Sequence, residues 1–181
     1  MTAARRPRLT PDDWLAAGLD ALRETGPGAL GAEPLARRLG TTKGSFYWHF
    51  TDVPAYSAAL LTLWQVAAEA ALAPGKDDGP AAARLRATAQ AIAAPDAATP
   101  QAAEPAIRAW AATSTGAAEA VATTDARRLD CLGALLAECG IANPDMARIL
   151  LGAAIGMQAL GGQAANRDAI GSLVDLVLAL R

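Results

Sequence analysis

Apolar positions along this chain recur at three- and four-residue intervals, the repeat of helices that bury one face. Leu15, Leu19 and Leu22 share the first such face. That segment opens on Thr10, an N-cap residue, with Pro11 in the first helical position and Asp12 and Asp13 at the positive end of the helix dipole. Gly26, Pro27 and Gly28 end it. Leu35 with Leu39, and Phe46 with Phe50, repeat the spacing on two shorter helices, the first starting near Ala32 with Pro34 in its opening turn. Gly40 stands where the first of these must stop, the place where a left-handed residue costs least. Thr41 or Thr42 can cap the second, and Ala36 is small enough for the two to cross closely. Two short helices joined by a tight turn in this way predict a helix-turn-helix.

Longer helices follow. Tyr56, Leu60, Leu63 and Ala67 mark a fourth, from Asp52 or Val53 to Ala73. A polar loop at 76–80 leads to a fifth, reaching Ala94, with Leu85, Ala89 and Ile92 inward. Pro105 falls in the first turn of a sixth, which reaches Ala112. After a break at 113–116 a seventh runs to Glu138, with Val121, Leu129, Leu132 and Leu136 on one side and Gly140 as its stop. Asn143 and Pro144 open the eighth, in which Gly152 and Gly156 lie one turn apart. A glycine inside a helix costs about 1 kcal/mol against alanine, so the pair predicts close approach by another helix. The ninth, from about Asn166 to Leu180, has Ile170, Leu173, Val177 and Leu180 on one side and Val174, Leu176 and Leu178 elsewhere. A last helix that is apolar nearly all round needs cover on more than one side, which a second copy supplies. Gly152, Gly156, Ile170, Leu173, Val177 and Leu180 are therefore expected at a homodimer interface.

Composition supports an all-α chain. Of 181 residues 52% are hydrophobic, but much of that is alanine and only 4% are aromatic. The expected architecture is a three-helix head at 1–52 and a helical body at 53–181, about nine helices in all. The net charge of -2 divides unevenly: residues 1–50 carry seven Lys or Arg against five Asp or Glu, the remainder nine against thirteen. A basic end on an acidic body suits a protein that presents one end to nucleic acid. Cys131 and Cys139 fall eight residues apart on one helix, roughly 12 Å along its axis and too far to bridge. Unpaired thiols fit a reducing cytoplasm. The amino terminus lacks the apolar stretch of a secretory signal, and the least polar segment, 149–160, is too short to span a bilayer. His49 is the single histidine, and no metal-ligand, nucleotide-loop or nucleophile-elbow pattern occurs. The reading is a cytoplasmic protein that is no enzyme, needs no cofactor and meets no membrane.

The outward residues of the third helix are Lys43, Gly44, Ser45, Tyr47, Trp48 and His49. A solvated helix rarely gathers Tyr, Trp and His on its outer face, whereas a helix entering a major groove has a use for each. Lys43 offers donors to a guanine edge or a phosphate, and Gly44 and Ser45 let the backbone come close. Tyr47 and His49 can donate to phosphate oxygens, and Trp48 supplies apolar contact. Thr41 and Thr42 stand on the same surface. Arg5, Arg6 and Arg8 form a basic arm before it, suited to phosphates or a minor groove.

Residues 35–50 resemble the recognition motif of the tetracycline-repressor (TetR) family, whose pattern runs Leu-Ala-x-x-Leu-Gly, six variable positions, then Tyr-x-His-Phe. Tyr47, His49 and Phe50 stand where that pattern wants them. The resemblance covers about residues 9–60, and the rest of the chain agrees in helix number and length. It implies a homodimer formed through the last two helices, a palindromic operator in double-stranded DNA, and a small-molecule effector held in a pocket enclosed by helices four to eight. Trp64, Arg108, Trp110, Met157 and Gln158 are the candidates to line that pocket; each would otherwise be ordinary core or surface. One departure is Val53, where the family usually carries Lys or Arg as a phosphate anchor. It leaves open a second reading, a small-molecule-binding or protein-interaction module with weakened DNA affinity.

Overall fold

A computed structural model describes residues 9–179; Arg5, Arg6, Arg8 and Leu180 lie outside the described residues. These form nine α-helices and no strand. They are α1 (Pro11–Thr25), α2 (Ala32–Arg38), α3 (Lys43–Tyr47), α4 (Val53–Ala70), α5 (Ala81–Ala93), α6 (Glu104–Ala111), α7 (Thr115–Glu138), α8 (Asp145–Leu160) and α9 (Gln163–Ala179). Single 3-10 turns sit at Pro27–Ala29, Ala73–Lys76 and Pro100–Ala103. No helix is long and apolar enough to cross a membrane among the described residues. The chain divides into two compact units between Leu63 and Trp64, inside α4.

In the amino-terminal unit the expected start signal works through a full capping box. Thr10 Oγ1 accepts from the Asp13 main-chain N–H at 3.3 Å, and the Asp13 carboxylate accepts from the Thr10 N–H at 2.7 Å. Leu15, Leu19 and Leu22 are buried as the spacing requires, and Trp14 joins them at 0% exposure. The division falls beyond the start of α4 because Tyr56 and Leu60, in its first turns, belong to this unit's core. The buried row of α4 then runs Tyr56, Leu60, Trp64, Ala68. Leu63 and Ala67, expected inward, are only half-buried, since Trp64 has more area to remove from water and takes the inner position. The helix also ends earlier than Ala73, giving way to the 3-10 turn that contains Pro74 and Gly75.

In the second unit α5 packs against α7, α8 and α9. Leu85, Ile92, Leu132, Leu150, Ile170 and Val174 are all fully buried in the resulting core. Gly140, at φ 82°, closes α7 through paired bonds, from its own N–H to Ala137 O and from Ile141 N–H to Leu136 O. Helix α9 begins at Gln163 rather than near Asn166. The intimate crossing lies at Gly171, where an added Cβ would come within 2.3 Å of Arg86 Nη1 on α5. A Cβ added at Gly152 or Gly156 would meet nothing within 4 Å among the described residues.

A charged cluster ties α6 to α7. The Glu104 carboxylate accepts from both terminal nitrogens of Arg128, at 2.6 and 2.7 Å, and from Arg108 at 2.7 Å; Arg108 also pairs with Asp125 at 2.5 Å. Glu104 and Arg128 are both fully buried. Burial, the largest single effect, would raise the Glu104 carboxyl, but the hydrogen bonds and charges of Arg128 and Arg108 together overcome it and hold the group below its ordinary value. Alternation of apolar residues alone predicts Val121 and Leu129 inward on α7; both are half-buried, and Arg128 takes the deepest place because Glu104 meets it there.

Candidate nucleic-acid interface

The turn between α2 and α3 is fixed by main-chain chemistry. Gly40 adopts φ 63°, its N–H donates to Arg37 O at 3.2 Å, and the Thr41 N–H reaches back to Ala36 O at 2.9 Å. This pairing terminates α2 and reverses the chain within a few residues. Thr42 then caps α3, its Oγ1 accepting from the Ser45 N–H at 3.4 Å, while Thr41 remains half-buried beside it.

Phe46 orients the short helix. It is fully buried, with ring centroids 5.4 Å from Trp14, 5.3 Å from Phe50 and 5.3 Å from Tyr56. The Tyr56 hydroxyl, inside this cluster, donates to the Trp14 carbonyl at 2.8 Å, and burial raises its pKa far above the ordinary value. With Phe46 and Phe50 held inside, the residues between them face away from the core. Tyr47 is 47% exposed and Trp48 80%. Lys43 and Gly44 are exposed, Ser45 and His49 half-buried. Trp48 and His49 follow the last full turn of α3, in continuity with it through the His49 N–H to Phe46 O bond of 3.0 Å.

Charges sort cleanly around this surface. Arg38 is held by Glu24 through two bonds of 2.7 Å, and Arg37 pairs with Glu33 at 3.2 Å. Lys43 has no carboxylate partner among the described residues; its ammonium lies 6.0 Å from the Tyr47 ring centroid. The structure therefore brings a donor-bearing cation, a phenol, an indole and an imidazole onto one exposed edge, over a glycine whose Cβ direction meets only Thr42 Oγ1, at 3.7 Å. Such a set can donate to phosphates and base edges.

The five body candidates are not brought together. Trp64 is wholly buried and Trp110 nearly so. Arg108 is occupied by Glu104 and Asp125, and Met157 packs against the core. Gln158 lines a cleft at the ends of α5 and α8, in company with Gln163 and Asn166, which the spacing of apolar residues gave no reason to single out. Of the expected interface residues on α9, Ile170 and Val177 are buried within the chain at 0% and 4% exposure, because α5 and α8 cover them. Leu173 is half-buried. The large apolar side chains exposed on α8 and α9, among the described residues, are instead Ile149, Leu160 and Leu176.

Residues 15–52 match the sequence profile of the tetR family of bacterial regulatory proteins. No curated protein matches the chain's sequence. Among solved structures, a transcriptional regulator from Rhodococcus sp. Rha1 is 25% identical and superposes with a TM-score of 0.76, each chain covered over 95% of its length. A regulator assigned to the TetR family from Rhodococcus sp. shares the fold at 19% identity and a TM-score of 0.78, over 93% of this chain and 98% of that one. AmtR of Mycobacterium smegmatis does so at 19% and 0.64, over 98% and 89%. With its all-helical architecture and its capped, aromatic-anchored α3, the chain carries at residues 15–52 the DNA-binding helix-turn-helix of the tetR family of bacterial regulatory proteins, and it shares its fold with transcriptional regulators over nearly its whole length.

Proposed function

We propose that the chain is a homodimeric repressor that reads a palindromic operator and leaves it when a small molecule binds the body. The observation that carries this reading is Trp48. Three of the four tryptophans are buried, at 0% for Trp14 and Trp64 and 8% for Trp110, whereas Trp48 is 80% exposed on the edge of α3. Exposing so large an apolar ring is costly unless a partner covers it. Lys43, Gly44, Ser45 and Trp48 face bases in this reading, and Thr41, Thr42, Tyr47 and His49, with Arg5, Arg6 and Arg8, hold phosphates. The division at residue 52 between DNA-binding and ligand-binding parts is a functional one.

Exposed Ile149, Leu160 and Leu176 support the dimer, together with the bare surfaces of Gly152 and Gly156. A two-fold axis through such a face presents two heads to successive major grooves. The effector acts by linkage: a ligand that weakens DNA binding about tenfold is itself weakened tenfold by DNA, about 1.4 kcal/mol. The protein works in the cytoplasm, where its DNA lies.

Selection of bound duplexes from a random pool at two salt concentrations tests the reading. A palindrome whose enrichment falls with salt is expected, because phosphate contacts release counterions. Recovery of nothing above background would remove the repressor reading. Val53, in place of a basic anchor at the start of α4, favours the second reading in that event, a ligand or protein-interaction module with weakened DNA affinity.

A further inference from the structure

Helices α7 and α8 leave an open groove of about 390 Å³ between them. One wall is the face of α7 from Ala122 to Leu129, the other the face of α8 from Arg148 to Ile155. On each helix the lining residues recur at three- and four-residue intervals, so each wall is a single stripe about 10 Å long. Packed helices ordinarily interdigitate side chains along such a seam. Here Ala126 and Gly152 stand where larger residues would fill it, and Gly152 faces open space. The volume is that of a small-molecule site. Both walls are fixed from behind: Leu150 and Ala154 anchor α8 in the core, and Arg128 locks α7 to Glu104. The groove is therefore formed before anything enters it, and little ordering opposes binding.

Its bed is apolar and its charge is one-sided. Leu129, Leu151 and Ile155 supply the hydrocarbon, and the ionisable lining residues are Asp125 and Arg148. Asp125 accepts from Arg108 at 3.0 and 2.5 Å. The cluster it belongs to balances the carboxylates of Glu104 and Asp125 against the guanidiniums of Arg108 and Arg128. The exposed Arg148 side chain has no hydrogen bond or ion pair among the described residues. One positive charge is thus left uncompensated beside an apolar surface.

We infer that this groove binds a medium-chain carboxylate, its headgroup on Arg148 and its hydrocarbon tail along Leu129, Leu151 and Ile155. A guanidinium and a carboxylate match in charge and in shape, through two parallel hydrogen bonds. The tail leaves water for the apolar bed. An alcohol of the same length keeps the second gain and loses the first, and an alkylammonium meets a like charge. Ile149 and Leu160, which support the dimer, fall on another stripe of α8, with Gly152 between the two. For any part in releasing DNA the site rests on the effector reading above; for binding it does not.

The test is calorimetric titration of the full chain without DNA. Octanoate is compared with 1-octanol and n-octylammonium. Saturable octanoate binding is expected, at least about tenfold tighter than either. Arg148→Gln should lose about tenfold and bind octanoate no better than octanol. Ala126→Trp, whose ring fills the groove from the exposed side of α7, should lose binding of both. No saturable octanoate binding, octanol or octylammonium bound as tightly, or either variant binding octanoate like the parent overturns the assignment. Octanoate binding that weakens as the chain is concentrated would give the groove to a second copy and overturn it as well. With no DNA present, failure here leaves the DNA-reading head standing, and failure of the duplex selection leaves the groove standing.

Discussion

The Cβ that Gly18 lacks would lie 1.8 Å from the hydroxyl oxygen of Tyr56. That oxygen is held in place by its bond to the Trp14 carbonyl, one turn earlier on α1, so the contact cannot relax by rotation alone. Gly18→Ala is expected to destabilise the head by about 2 kcal/mol through overpacking. Tyr56→Phe loses one hydrogen bond, about 1 kcal/mol, but removes the nearest clashing atom, leaving Leu60 Cδ1 at 2.6 Å and the ring Cζ at 2.9 Å. The double variant should therefore be more stable than the two separate losses add up to. A double-mutant cycle by urea unfolding measures the difference; simple additivity would show that the hydroxyl is not what excludes the methyl.

Gly44 separates stability from binding. Its outward surface is open, so Gly44→Ala should raise the stability of the head by up to about 1 kcal/mol through helix propensity. DNA affinity should nonetheless fall several-fold, since the methyl intrudes where the duplex backbone or base edges approach. Unchanged affinity in a gel-shift titration would take Gly44 off the binding surface.

Lys43, Tyr47 and Val53 sort the contacts by salt. Tyr47→Ala should weaken binding to all duplexes alike, whereas Lys43→Ala should change base preference. Val53→Lys adds a cation at the start of α4 and should tighten binding, steepening the slope of log affinity against log salt by about one. A Val53→Lys slope equal to the parent's would place that position out of reach of the phosphates.

Ile149→Asp and Leu176→Asp place charge on the exposed apolar face of α8 and α9. Sedimentation equilibrium should report a dimer for the parent and a monomer for each variant, with operator affinity falling in step. A parent that sediments as a monomer at all concentrations would end the dimer reading.

Local signals were readable wherever a single residue type does one job. Thr10 with Asp13, Gly40 and Gly140 stand out because a cap or a left-handed stop needs those residues and few others. The outward edge of α3 was equally legible, since Phe46 and Phe50 fix which residues remain outside. What depended on a partner distant in sequence was hidden. Arg128 reads as a solvated charge until Glu104 is brought to it from 24 residues away. Ile170 and Val177 read as a face for a second copy, yet α5 and α8 already use them. Apolar periodicity records that a face is covered, and leaves unstated what covers it. Gln158, Gln163 and Asn166 line a cleft only because the end of α5 and the start of α6 are brought to them from more than 50 residues away.

Glu104→Gln should cost about 3 kcal/mol, because it strips a buried arginine of its counter-charge. The pH dependence has a definite sign. Since the folded carboxyl sits below its ordinary value of 4.5, its contribution is complete above that pH and is lost as the pH falls through the folded value. Acid unfolding followed by circular dichroism should show a steeper loss below about pH 4.5 in the parent than in Glu104→Gln. Equal acid profiles would mean that the carboxylate titrates as it does in the unfolded chain.

The same pair has a bearing on descent. A chain that loses Glu104 alone carries a stranded arginine, and one that loses Arg128 alone leaves the buried carboxylate with Arg108 as its one remaining partner, while one that replaces both with apolar residues of similar volume can fold as well as before. Neither intermediate between those two states is comfortable, so the two positions form one heritable character, kept together or surrendered together. Related chains sorted by ancestry should fall into two groups at these sites, with single replacements confined to short-lived branches.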